Sequence, residues 1–253
     1  MKYKIDRKFV AEREKEFESL SADKIIDWVA SEIGFENFIL ASSMSVEGQV
    51  LADMLFKKSK NARIVMIDTG RLNQETYDTA DWTRKYYGVN IEVIFPDSIE
   101  VEEMVTKFGV NLFYDSVDKR KFCCEIRKIN PLKKKLLGLK AWMTGLKRID
   151  NENRTTIRKL EWDEKFNLLK LNPIADWTDV EIWNYLEKNK IKINQLYKSG
   201  YKSIGCACCT RPVREGEDAR AGRWWWEDRA HSECGLHIVN GKLVRKNIKK
   251  EEN

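Results

Sequence analysis

Four short apolar runs, each closed by polar or small residues, restrict this chain to very few folds. They occupy residues 37–41, 63–67, 91–95 and 141–144. The first ends in Ser42-Ser43-Met44-Ser45, ahead of a helical pattern over 49–56. The second ends in Asp68-Thr69-Gly70-Arg71, ahead of a helical pattern over 73–87; the third stops at Pro96. Strand and helix alternating at these lengths predict an α/β fold, a mostly parallel sheet with helices on both faces. Ligands of such sheets sit beyond the C-terminal ends of the strands, so the polar turns are candidate site residues. The Ser-rich turn could offer backbone N–H groups to a phosphate, although by itself it reads more simply as a helix N-cap.

The rest of the chain fits around this frame. Phe9, Phe17, Leu20, Ile25, Ile26 and Val29 fall at helical spacing and predict one or two surface helices. Further helices are expected over 101–108 and 131–137, the latter strongly basic, and a further strand over 168–171. Thr178 should cap a helix over 179–189, with Glu181 completing a capping box. Without a repeat or a low-complexity linker, the expectation is one domain: a helical segment 1–34, an α/β body 35–204 and a functional C-terminal segment 205–253.

That last segment gathers unusual chemistry. Four of the six cysteines (Cys206, Cys208, Cys209, Cys234), both histidines and Trp224-Trp225-Trp226 lie within 205–237, while Cys123 and Cys124 adjoin each other upstream. The N-terminus is densely charged and no stretch has the length of a membrane span, so a cytoplasmic setting is expected, with no membrane. Thiols stay reduced there, which points to a metal or a nucleophile rather than to disulfides. Cys206 and Cys209 are spaced C-x-x-C, and Cys123 with Cys124 could complete a four-thiolate set. Adjacent ligands suit a cubane cluster better than tetrahedral zinc, yet spacing alone leaves the two about even. Cys208 reads as a bystander that could substitute as a ligand. Cys234, three residues before His237, is a candidate nucleophile. The arginines before it (Arg211, Arg214, Arg220, Arg223) could favour its thiolate or clamp an anion. Three consecutive tryptophans cannot all be core. The net charge of +6, from 46 basic and 40 acidic side chains, suits an anionic substrate and nucleic acid equally.

Read as a set, the motifs resemble the assimilatory adenylyl-sulfate (APS) reductases of the APS/PAPS reductase family. They are Ile67-Asp-Thr-Gly-Arg-Leu72 with Glu75-Thr-Tyr77, Cys123-Cys-Glu-Ile-Arg-Lys128 with Pro131-Leu132, and Ile204-Gly-Cys206 through Arg211-Pro-Val213. Gly222-Arg-Trp-Trp-Trp-Glu227 and Glu233-Cys-Gly-Leu-His237 complete the set. The resemblance implies an adenine nucleotide alpha-hydrolase-like fold with a modified pyrophosphate loop at Ser42, Ser43 and Ser45. It implies a [4Fe-4S] cluster on Cys123, Cys124, Cys206 and Cys209. Cys234 would attack the sulfur of APS to give S-sulfocysteine and AMP, and thioredoxin would release sulfite. Lys128, Arg220, Arg223 and His237 would contact the phosphosulfate, with Asp68 and Arg71 near the nucleotide and Arg148 a further contact. The implied partners are APS and thioredoxin, with no nucleic acid, and the implied assembly is a homo-oligomer. PAPS or dual specificity is the near alternative. An iron–sulfur tRNA-thiolating enzyme is the remote one, and it would need a Ser-Gly-Gly-Lys-Asp-Ser-like loop that the chain lacks. Three departures stand out: Lys147-Arg148-Ile149-Asp150-Asn151 replaces the family's Arg-Arg-Glu/Asp-Gln-Ser, the loop Ser43-Met44-Ser45-Val46-Glu47 is only a loose copy, and Cys208 replaces a proline.

Overall fold

The computed structural model describes residues 5–150 and 154–228. Cys234, His237 and Asn151 therefore lie outside the described residues. The α/β expectation holds. Strands β1 (Phe38–Ala41), β2 (Ile64–Ile67), β3 (Glu92–Ile94), β4 (Ala141–Met143), β5 (Leu160–Asp163) and β6 (Leu168–Leu171) form one sheet in the order β3-β2-β1-β4-β6-β5. All pairings are parallel except β5 with β6, which is antiparallel and closes one edge. The central strands are apolar throughout because both of their faces are covered. Phe38 and Leu40 face one core together with Ala141 and Met143, while Ile39 and Trp142 face the other.

Helices α1 (Arg7–Ser19), α2 (Ala22–Trp28), α3 (Val46–Lys58), α4 (Gln74–Tyr87) and α8 (Asp179–Lys188) send residues into the larger core. The N-terminal pair are not merely surface helices. Phe17, Ile25, Ile26 and Val29 are fully buried, so this segment is part of the same core as the sheet. Helix α7 (Asn130–Leu136) covers the opposite face through Leu132 and Leu136. Start signals are local: Asp6, Ser21 and Ser45 accept backbone N–H bonds at the heads of α1, α2 and α3, and Thr178 with Glu181 makes the expected capping box on α8. Among the described residues no helix is long and apolar enough to cross a membrane.

A third, smaller apolar cluster sits between α5 (Ser98–Phe108), α6 (Val117–Cys124) and the segment 206–224. Its members include Met104, Phe113, Ile126, Cys123, Cys206, Cys209 and Trp224. One ion pair anchors it. Arg120, completely buried, donates through Nε and Nη2 to the Glu227 carboxylate at 2.9 and 2.7 Å, and it stacks 4.5 Å over the Trp224 ring. Glu227→Gln removes a carboxylate that compensates a buried charge, and the expected cost is about 3–5 kcal/mol, read from urea unfolding. Of the three tryptophans, Trp224 is core, Trp225 is exposed and Trp226 packs edge-on to Tyr114 at 4.4 Å.

Candidate active site

The strand order reverses direction at β1, whose neighbours β2 and β4 lead to opposite edges. A crevice opens at such a switch point, beyond the strand ends. Here it is a cavity of about 230 Å³, lined by the ends of β1, β2 and β4 and by residues 202–206 and 219–224. Ser42, Ser43 and Ser45 lie on its wall. The capping and site readings of this turn are compatible. Ser45 Oγ accepts the Gly48 N–H at 3.4 Å, and Ser42 Oγ accepts that of Met44 at 3.1 Å. Gly48 permits the arrangement, since a Cβ there would stand 2.3 Å from Ser42 Oγ.

Cations reach this cavity from several segments, Arg154 and Lys202 among them. Lys128 comes from the π-helical turn Glu125–Ile129 that continues α6. Arg220 and Arg223 come from the C-terminal segment. Arg223 is buried; Nη1 donates to Thr210 Oγ1 at 2.8 Å and the guanidinium stacks 4.7 Å from the Trp224 ring. Gly205 is the floor beneath it, because a Cβ there would lie 1.4 Å from Nη1. Gly205→Ala should displace Arg223, and a raised KM for the nucleotide with the fold intact would register it.

A second, smaller cavity of about 20 Å³ adjoins the first. Cys123, Cys124, Cys206, Cys208 and Cys209 line it, all as free thiols, and all but Cys208 are buried. Lys128, Cys206 and Trp224 line both cavities and form the partition between them. Thr69 Oγ1 lies 3.3 Å from Cys206 Sγ, tying the turn after β2 to the cysteines. Burial pushes the Cys123 thiol up, against the pull of Arg127 and Lys128. Cys208 is pushed down, first by the hydrogen bond shared with Cys209 and then by Arg71; Cys209 is pushed up, first by that same bond and then by burial. Among the described residues no three His, Cys, Asp or Glu are gathered as one metal ion would need. The lining also holds two buried donors without an acceptor, Arg127 Nε and Trp224 Nε1. Four buried thiols, adjacent cations and orphaned N–H groups fit an anionic group wider than a single ion.

Two expected contacts, Arg148 and Arg71, are placed differently. Arg148 is not on the wall of the larger cavity: its Nε donates to the Ile157 carbonyl at 2.7 Å and Nη2 to Glu18, which fixes the loop to α1. Arg154, further along that loop, lines the cavity instead. Arg71 lies at the cysteine cavity, 5.2 Å over the Phe113 ring, and donates to Asn111 Oδ1 and the Val110 carbonyl. Asp68 Oδ1 is engaged by Gly70 N–H and by Tyr77 Oη, whose pKa burial and this bond push up to about 12.

The sequence reading also missed wall residues. Glu47 and Asp150 both line the cavity, and fully buried Lys147 pairs with both, at 3.5 and 3.2 Å, and with Asp179. Burial and Asp150 raise the Glu47 carboxyl, while Lys147 opposes them. Burial alone would lower Lys147, but the surrounding carboxylates hold it above its ordinary value. Glu47, two residues past the Ser45 cap, was detectable as a carboxylate in the first turn of α3.

Comparison with known proteins agrees with this geometry. The phosphoadenosine phosphosulfate reductase domain matches residues 37–212. This chain belongs to the phosphoadenosine phosphosulfate reductase family. An adenosine 5′-phosphosulfate reductase of Burkholderia cepacia is 42% identical, over 85% of this chain and 86% of its own. One from Allochromatium vinosum is 39% identical, over 86% of this chain and 84% of its own. The crystal structure of phosphoadenylyl-sulfate reductase from Candida auris superposes with a TM-score of 0.67 at 24% identity, covering 81% of this chain and 97% of that one, and so shares the fold. In this member of the phosphoadenosine phosphosulfate reductase family the domain match ends at residue 212, just past the C-x-x-C motif, so Arg220, Arg223 and Trp224 reach the cavity from beyond it.

Proposed function

We propose that this chain reduces adenylyl sulfate to sulfite and AMP, with thioredoxin as electron donor, in cytoplasmic sulfate assimilation. The observation that carries the reading is the paired cavities: a crevice of about 230 Å³ with Lys128, Arg220 and Arg223 on its wall, joined through Lys128 and Trp224 to five thiols. The serines after β1 receive the nucleotide, and the cations hold the phosphosulfate. Cys234 is the nucleophile, with His237 beside it in sequence. Its thiolate attacks the sulfur of the sulfonyl group, the S–O bond to the phosphate breaks, and AMP leaves with the bonding pair. The cations stabilise the charge developing on the departing oxygen. A thioredoxin thiolate then attacks Cys234 sulfur and expels sulfite; its second thiol resolves the mixed disulfide.

Cys123, Cys124, Cys206 and Cys209 would hold a [4Fe-4S] cluster. Bound there, it supplies a fixed charge distribution next to the cavity, because the dithiol provides both electrons. Iron and acid-labile sulfide in anaerobically purified protein test this, and zinc without iron would sink it.

The complete set Cys123, Cys124, Cys206 and Cys209, with 39–42% identity to adenosine 5′-phosphosulfate reductases, supports APS as the preferred nucleotide. The expected kcat/KM for APS exceeds that for PAPS by about tenfold or more, which corresponds to roughly 1.4 kcal/mol. Competition between the two nucleotides decides it, and a preference for PAPS refutes the assignment.

A further inference from the structure

We infer that Cys208 is a reserve ligand of the metal centre, able to take the place of Cys209. The inference rests on the cluster reading above and extends it to a residue that reading leaves idle.

The smaller cavity is lined by five thiols, one more than a cubane cluster needs from the protein. Cys208 Sγ lies 3.8 Å from Cys209 Sγ, so the two thiols are neighbours on the wall of one cavity. Neighbouring residues already share this cavity on its other side, where Cys123 and Cys124 both line it from the end of α6. The turn Ala207–Cys209 is held independently of its sulfurs. Ala207 N–H donates to the Arg71 carbonyl at 2.8 Å, Cys209 N–H to the Cys206 carbonyl at 3.0 Å, and Trp224 N–H to the Cys209 carbonyl at 3.2 Å. Tyr114 Oη donates to the Cys208 carbonyl at 2.9 Å. Loss of the Cys209 sulfur leaves that scaffold standing, with Cys208 still on the cavity wall. Arg127 Nε and Trp224 Nε1, buried on the same wall without acceptors, mark the space as built for an anionic acceptor whichever thiol completes it.

The exchange is redox-neutral. Where the Cys209 thiolate is missing, the Cys208 thiolate would hold the cluster in its place, its proton passing to solvent. Soft thiolate replaces soft thiolate, so the donor set is unchanged. With Cys209 in place, Cys208 remains a half-buried free thiol.

The test compares wild type, Cys208→Ser, Cys209→Ser and the double variant, all prepared without oxygen. Iron, acid-labile sulfide and visible absorbance are measured, and iodoacetamide labelling is mapped by peptide. Wild type and Cys208→Ser should carry the same iron. Cys209→Ser should keep roughly half of it or more through the substitute thiolate, and the double variant should lose it. Cys208 should be alkylated in the wild type and protected in Cys209→Ser. Iron as low in Cys209→Ser as in the double variant overturns the inference, as does free labelling of Cys208 there. A Cys209→Ser chain that fails to fold while Cys208→Ser folds overturns it too, since a reserve ligand should carry the variant. Wild type without iron defeats the cluster reading itself; iron in the wild type alone defeats only this one.

Discussion

Incubated with adenylyl sulfate and no thioredoxin, the protein is expected to gain one sulfonate on Cys234 and to release AMP in equal amount. Peptide mapping by mass spectrometry locates the adduct, and nucleotide analysis counts the AMP. Cys123, Cys124, Cys206 and Cys209 are buried and assigned to the cluster, which leaves Cys208 and Cys234. Cys208 is the nearer rival in the described structure, because it is half-buried where the other four are buried. It fails on position. Cys208 lines the cysteine cavity only, whereas Lys128, Arg220 and Arg223 line the crevice. Cys234 follows Arg220 and Arg223 closely in sequence and precedes His237. Cys234→Ser should retain iron and bind nucleotide, yet form neither adduct nor sulfite. An adduct on Cys208, or sulfite from the serine variant, would show that the wrong nucleophile was named.

The parts of this molecule that were legible in its sequence are those set by local pattern. The runs that became β1, β2 and β4 are apolar on both faces because both are covered, and Thr178 with Glu181 announces α8 four residues at a time. Edge strand β5 was missed because Leu-Glu-Trp-Asp carries a strand signal too short to separate from a loop; its pairing with β6 is what makes it a strand. Lys147 could not have been read as buried. Its burial depends on Glu47, Asp150 and Asp179 converging from separate elements. The same holds for the arginines after β4. The family resemblance nominated Arg148, but the bond to Glu18 in α1 takes it out of the crevice, and Arg154 enters. Serines and cysteines were easier, since an N-cap or a C-x-x-C fixes where a side chain points within one turn.

Lys128→Met is expected to lower kcat by about two to three orders of magnitude while iron content and fold remain those of the wild type. Lys128 follows Cys124 by four residues through a π-helical turn, a geometry that functional sites often use to re-aim side chains. Its position on the partition puts one cation beside both the thiols and the crevice. Its field lowers the Cys123 and Cys209 thiols, though burial outweighs it at Cys123, and burial with the bond from Cys208 outweighs it at Cys209. Arg127 and Arg71 also face the cysteines, so removing one charge should leave the metal site intact. In the crevice the charge that matters appears as the S–O bond breaks, and a preorganised cation there stabilises the transition state more than bound substrate. The loss should therefore fall on kcat, with a smaller change in KM. Lys128→Arg, which keeps the charge but alters its shape, should recover part of the rate. Steady-state kinetics beside iron analysis separates the possibilities. A variant that loses iron would make Lys128 a residue of the metal site, and one with wild-type kcat would remove it from the reaction.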